Sequence, residues 1–156
     1  MDGDGEARLD ELLGRLRHQG KRLTPQRLAI LRILASSDAH PTVMEVYDEV
    51  RVDFPTTSMA TVYATVAMLE EMNEVLTLVP GDGSKHYDCR TPEPHPHAVC
   101  TECGRILDVE LPAFRGTPEY VAACTGFQIT GYQLEFAGIC PWCQQHNVPP
   151  LAETGQ

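Results

Sequence analysis

At 156 residues with 42% apolar side chains, the chain has room for one ordinary domain or two small ones, each with a marginal core that metal or oligomerisation would have to supplement. Its first residues carry no basic and apolar signal-like run, and no stretch approaches the ~18 continuous apolar residues of a membrane span, so a soluble cytoplasmic protein with no membrane partner is expected. A net charge of -10 excludes a nucleic-acid binder that works by overall charge, although Arg15, Arg17, Lys21, Arg22, Arg27 and Arg32 form a basic segment with no acidic residue between Leu12 and Ser37.

In chain order, Leu9, Leu12, Leu13 and Leu16 predict an amphipathic helix over residues 9–19, ended by Gly20. Thr24-Pro25 then supplies an N-cap and a first-turn proline for a helix carrying Leu28, Leu31, Leu34 and Ala35. A third helix starts near Thr42 on the stripe Val43, Val46, Tyr47 and Val50. A fourth runs from Thr57 or Ser58 to about Met72, its core stripe Met59, Val62, Val66 and Leu69 opposed by a thin face of Ala60, Ala64 and Ala67 with Thr61 and Tyr63 on the shoulders. Residues 74–79 and 85–89 predict strands joined by the turn Pro80-Gly-Asp-Gly-Ser84, which completes a winged-helix pattern.

Pro92-Glu-Pro-His-Pro96 marks a change of composition. The expected organisation is an α+β chain: a winged-helix domain with an N-terminal arm over 1–89, a hinge over 90–96, a smaller α/β domain over 97–146 and a flexible tail over 147–156. In the second domain, 98–99 and 106–110 read as strands, 114–124 as a helix, and 127–136 as a strand of alternating character.

Cys100-Thr-Glu-Cys103 and Cys140-Pro-Trp-Cys143 each place two thiolates about one tight turn apart, and two such pairs complete a tetrahedral Zn(II) site with no open coordination position, hence a structural one. A redox C-x-x-C explains one pair but not two. The 36 intervening residues exceed an ordinary zinc-ribbon loop, so a folded unit must lie between the pairs. Cys89 and Cys124 fall outside the set, and Cys124, in an apolar helix, reads as a small core residue.

A second constellation surrounds the hinge: His40 in the first domain, Asp88 at the end of the wing, and His95, His97 and Asp108 in the second. Imidazoles and carboxylates form a harder donor set than thiolates and suit Fe(II) or Mn(II). Shared by one ion, they would clamp the domains together. Taken singly, His40-Pro41 also reads as a turn and His95-Pro-His97 as a solvated loop.

Arg22-Leu-Thr-Pro-Gln-Arg27, His40-Pro-Thr-Val-Met-Glu-Val-Tyr47, Ala60-Thr-Val-Tyr63, His95-Pro-His-Ala-Val-Cys-Thr-Glu-Cys-Gly104, Gly126-Phe-Gln-Ile129 and Gly138-Ile-Cys-Pro-Trp-Cys143 occur in this order. Through them the chain resembles the ferric uptake regulator superfamily over residues 15–143. The resemblance implies a homodimeric, metal-dependent transcription regulator, a repressor of operator DNA rather than an enzyme, whose second domain dimerises. It implies regulatory Fe(II) or Mn(II) on His40, Asp88, His95, His97 and Asp108. It also implies a reading helix over 58–72 with Tyr63 at base edges and Ser58, Thr61, Lys21 and Arg22 as further DNA contacts.

Within the superfamily, aspartate at both acidic ligand positions resembles the peroxide-sensing branch, in which a ligand histidine is oxidised, with His40 and His95 as matching positions. The Asp88–His95 spacing resembles the iron branch. Cys89, beside Asp88, raises the alternative of a Zn(II) sensor that uses a soft ligand. Ala64 stands where the family frequently has arginine. Pro94, Pro96 and Tyr132 stand where a further metal site would have ligands, so two metals per subunit are expected. The rivals from other classes are a zinc hydrolase built on His95, His97 and Asp108, and a zinc-stapled interaction module without DNA binding.

Overall fold

The computed structural model describes residues 3–146, in two compact units that divide between Glu93 and Pro94. The tail expected over 147–156 lies outside the described residues. No helix among the described residues is long and apolar enough to cross a membrane.

Unit 1 carries α1 (Gly3–His18), α2 (Pro25–Ser36), α3 (Val43–Asp53), α4 (Met59–Glu71), β1 (Leu76–Leu78) and β2 (His86–Asp88). Side-chain caps fix the helix starts. The Thr24 hydroxyl accepts from the Arg27 N–H at 3.2 Å, and Ser58 does the same for Thr61 at 3.2 Å. Thr42 and Glu45 form a reciprocal capping box. Two helices end in left-handed residues, Gly20 at φ 67° and Asn73 at φ 55°, whose following N–H groups reach back to Leu16 and Leu69 at 2.9 Å. The buried stripes Leu9, Leu12 and Leu16 of α1, Ile30, Leu31 and Leu34 of α2, Val46 and Val50 of α3, and Val62, Val66 and Leu69 of α4 close on one core.

Helix α1 begins six residues before the expected Leu9 start. The apolar stripe does start at Leu9, but Asp4 and Glu6 in the first turn favour the helix dipole, and Arg8 anchors the added turn. Arg8 is buried: its Nε donates to the Cys89 carbonyl at 2.7 Å, and Nη2 donates to the Glu74 carbonyl at 3.1 Å and to Glu74 Oε2 at 2.9 Å. These two carbonyls flank the β1–β2 ladder. Arg8 engages both carbonyls at that end, and the ladder covers three residues of each strand, Leu76↔Asp88 to Leu78↔His86, rather than the longer spans expected over 74–79 and 85–89.

Glu74 also accepts from Arg15 Nη1 at 2.6 Å. Glu74→Ala should leave buried Arg8 with Glu11, at 3.1 Å and half-exposed, as its remaining carboxylate partner and lower stability by about 1.5–3 kcal/mol, read as a shift of the urea midpoint; a change under about 1 kcal/mol would show that the Arg8–Glu74 pair is not buried in solution.

Unit 2 is a sheet ordered β4-β3-β5, with β3 (His97–Cys100), β4 (Ile106–Asp108) and β5 (Glu135–Gly138). Strands β3 and β4 are antiparallel, His97 opposite Asp108, while β3 and β5 are parallel. Helices α5 (Thr117–Thr125) and α6 (Pro141–His146) complete it. The helix expected over 114–124 is broken: Pro112–Phe114 form a 3-10 turn, and Gly116, at φ 81°, lets the chain reverse before Pro118 opens α5. The strand expected over 127–136 is also corrected. Residues 127–134 find no paired strand, and regular pairing starts at Glu135, where β3 is available. Cys124 is exposed rather than a core residue, because no residue of α5 is buried.

Candidate metal centres and reading helix

Within unit 2 the four paired cysteines converge. The Sγ atoms of Cys100 and Cys143, and those of Cys103 and Cys140, lie 3.8 Å apart, and all four fall within 4.8 Å of one another. Disulfides hold their sulfurs at ~2.0 Å. A tetrahedral zinc with Zn–S bonds of ~2.3 Å spaces its sulfurs by ~3.8 Å, the separation found here.

Local structure makes the cage. The β3–β4 turn brings the Gly104 N–H onto the Cys100 carbonyl at 2.9 Å, and the Cys140 N–H donates to Cys100 Sγ at 3.3 Å at the start of α6. Burial opposes ionisation of Cys100, but N–H groups of Cys140, Cys103 and Glu102 bring its thiol down to about 6. Burial and the neighbouring sulfurs push Cys143 up, the crowding of negative charge that a divalent cation relieves. Helix α6 was not foreseen, although Pro141 directly after Cys140 is a first-turn proline signal.

The imidazole and carboxylate ligands fall in two groups. In unit 1, buried His40 and Asp88 meet with Nε2 3.4 Å from Oδ2. In unit 2, Asp108 Oδ1 lies 3.1 Å from His95 Nε2 and 3.5 Å from His97 Nε2. His95 precedes β3, yet its ring lies against that of His97 with centroids 4.2 Å apart, and the β3–β4 register sets Asp108 opposite His97. Neighbouring ligand atoms on an ion with bonds of ~2.1 Å lie ~3.0–3.4 Å apart, which the 3.4 Å pair of unit 1 and the 3.1 Å pair of unit 2 match and the 3.5 Å pair slightly exceeds.

Asp88 Oδ1 also accepts from the Arg90 and Thr91 N–H groups, each at 2.9 Å, which fixes its carboxylate at the end of β2. Cys89 turns the other way. It is fully buried in the apolar core, where burial pushes its thiol up to about 12, and it is not among the clustered ligand atoms. Tyr132 bonds the Pro94 carbonyl at 2.7 Å. Among the described residues no third group of three or more His, Cys, Asp or Glu ligands comes together.

Helix α4 buries Val62, Thr65, Val66, Met68 and Leu69 and leaves Ala60, Tyr63, Ala64 and Ala67 exposed. Ser58 is exposed at its N-terminus, where the hydroxyl is already engaged as the cap, and Thr61 is half-buried. Arg22 is exposed, while Lys21 lies 4.0 Å from Glu71. Arg15 belongs to the basic segment in sequence, but Glu74 and Glu11 neutralise it.

A winged-helix-like unit that presents a thin helix face, followed in sequence by a unit with a four-cysteine cage and imidazole–carboxylate ligands, defines a metal-binding transcription regulator. The chain belongs to the ferric uptake regulator family, which its residues 18–137 match. That family comprises regulatory DNA-binding proteins, not enzymes. A peroxide-responsive repressor PerR of Staphylococcus aureus (strain USA300) is 38% identical over 139 residues, covering 89% of this chain and 93% of the relative, which aligns the chain with the peroxide-responsive branch. A solved peroxide stress regulator of Campylobacter jejuni is 28% identical with a TM-score of 0.64, covering 85% of this chain and 95% of that one. The Helicobacter pylori ferric uptake regulator shares the fold, with a TM-score of 0.72 at 23% identity over 90% of this chain and 93% of that one.

Proposed function

We propose that the chain is a homodimeric repressor of the peroxide-responsive type, binding operator DNA when one Fe(II) or Mn(II) is held jointly by His40, Asp88, His95, His97 and Asp108. The observation that carries this reading is the close approach of carboxylate oxygen to imidazole nitrogen in both ligand groups, at 3.4 Å in unit 1 and at 3.1 and 3.5 Å in unit 2. Domains over 1–89 and 97–146 with a hinge over 90–96 suit it, since an ion drawn from both sides selects one orientation of the reading helices. Converting a mostly open to a mostly closed population takes ~5.5 kcal/mol of differential affinity.

Cys100, Cys103, Cys140 and Cys143 hold structural Zn(II) in this reading, with no position left for a reactant. The exposed apolar residues Tyr120, Val121, Phe127 and Phe136 are the surface that the second subunit covers. On DNA, Tyr63 reads base edges, while Lys21, Arg22, Ser58 and Thr61 contact the backbone. Bound Fe(II) supplies the electron transfer that directs peroxide against a neighbouring imidazole. His40 and His95 are the residues offered to it, and loss of either releases the clamp. Cys89, buried in the apolar core and outside the ligand cluster, disfavours the Zn(II)-sensing alternative that needed it as a ligand.

Zinc-loaded protein freed of its second metal should regain operator binding on titration with Mn(II) or Fe(II). Peroxide should then abolish binding in the Fe(II) form alone, with +16 Da on a peptide containing His40 or His95. Restoration by Zn(II) only, with unmodified histidines, would sink the peroxide reading.

A further inference from the structure

His40 is the strained member of the ligand set. It has φ 51°, a region that non-glycine side chains seldom adopt, and it is buried at the junction of α2 and α3. Three successive residues of β2 address this loop. His86 Nδ1 lies 2.7 Å from the His40 carbonyl, the Tyr87 N–H donates to the Pro41 carbonyl at 3.0 Å, and Asp88 Oδ2 lies 3.4 Å from His40 Nε2. A carbonyl only accepts, so His86 carries its proton on Nδ1.

From the other side of the ring a relay runs into the wing turn. Ser84 Oγ lies 2.8 Å from His86 Nε2 and 2.7 Å from Asp82 Oδ1, so its one hydroxyl proton serves the ring nitrogen or the carboxylate at a given moment, while the Ser84 N–H donates to Asp82 Oδ1 at 2.9 Å. The turn itself closes through the Gly83 N–H on the Pro80 carbonyl at 2.9 Å.

We propose that His86 is a positioning residue: it holds the strained His40 backbone so that the His40 imidazole faces Asp88, and through Ser84 and Asp82 it ties the wing turn to the metal ligand. The inference rests on the regulatory-metal reading above. Arrangement of the wing and affinity for the ion are then linked, each favouring the other reciprocally. Groups that orient a ligand from behind typically change metal affinity 10–100-fold when removed.

The test is Mn(II) affinity of the full-length, zinc-loaded protein, measured by competition with a fluorescent chelator. His86→Phe, which keeps a ring but loses both bonds, should weaken Mn(II) binding about tenfold or more with zinc content and helical signal unchanged. His86→Asn places an amide N–H near the Nδ1 position and should recover most of the loss, which a merely space-filling role would not allow. Ser84→Ala, on the wing turn and outside the core, should weaken Mn(II) binding in the same direction. Parent-like affinity in His86→Phe, or equal losses in the Phe and Asn variants, would overturn the positioning role, and an unaffected Ser84→Ala would overturn the tie to the wing. His40→Ala separates the two levels: if it too binds Mn(II) like the parent, the metal reading fails and takes this inference with it. If it loses Mn(II) while His86→Phe does not, only the role of His86 is refuted.

Discussion

Replacing Cys143 by serine is expected to release zinc and unfold unit 2. Pro96, His97, Cys100, Ile106 and Cys143 are the buried residues among those described there, and two of them are cysteines of the cage. An apolar core of that size cannot offset the conformational entropy of some fifty residues at ~1–2 kcal/mol each in the backbone alone. Zinc in small four-ligand peptides contributes about 10–16 kcal/mol at neutral pH, enough to decide whether such a unit folds. Serine retains nearly the shape of cysteine but binds zinc poorly, so the expected loss is out of proportion to the change in volume. Metal analysis should show the zinc gone, and calorimetry should show loss of the unit 2 transition. Persistence of unit 1 helicity would locate the damage. Full zinc retention with an unchanged transition would mean that the four sulfurs do not form the site.

The cage and the helices were legible in sequence for the same reason: both depend on short-range spacing. Two residues between cysteines set a tight turn, and Thr24-Pro25, Thr42 with Glu45, and Ser58 are local caps that act before any tertiary contact. What escaped was non-local. Arg8 and Glu74 carry no short-range signal of their pairing and become a buried pair only because the Arg8 side chain reaches the Glu74 and Cys89 carbonyls at the end of the β1–β2 ladder. The alternation over residues 127–136 promised a strand, yet a strand exists only where another pairs with it, and within one chain β3 provides that for Glu135–Gly138 alone. Cys124 and the other exposed apolar residues of unit 2 misled for the same reason, since hydrophobic pattern reports what will be covered without saying by what. His86 carried no motif at all. Its importance rests on His40 adopting φ 51°, which no propensity predicts.

Asp108→Ala should abolish metal-dependent DNA binding and Tyr63→Ala should weaken operator recognition, for opposite reasons. Asp108 is half-exposed at the end of β4 and makes close approaches to both His95 and His97, so its removal takes an anionic ligand from the ion with little cost to packing. Losing a directly bound ligand should exceed the 10–100-fold typical of supporting groups, so Mn(II) affinity should fall by at least about 100-fold. At Mn(II) concentrations that saturate the parent, the clamp is then empty and DNA affinity should match that of the chelated protein, with the zinc retained. Tyr63 is 57% exposed on a helix whose packing lies on the other side, so its loss should leave Mn(II) and zinc binding unchanged. Discrimination between operator and random DNA should nevertheless drop, by the ~1–3 kcal/mol typical of one base contact. Measuring Mn(II) affinity and operator affinity on both variants separates sensing from reading. An Asp108→Ala protein that still needs Mn(II) to bind its operator would place the sensor elsewhere in the chain. A Tyr63→Ala protein with undiminished specificity would take base recognition away from α4.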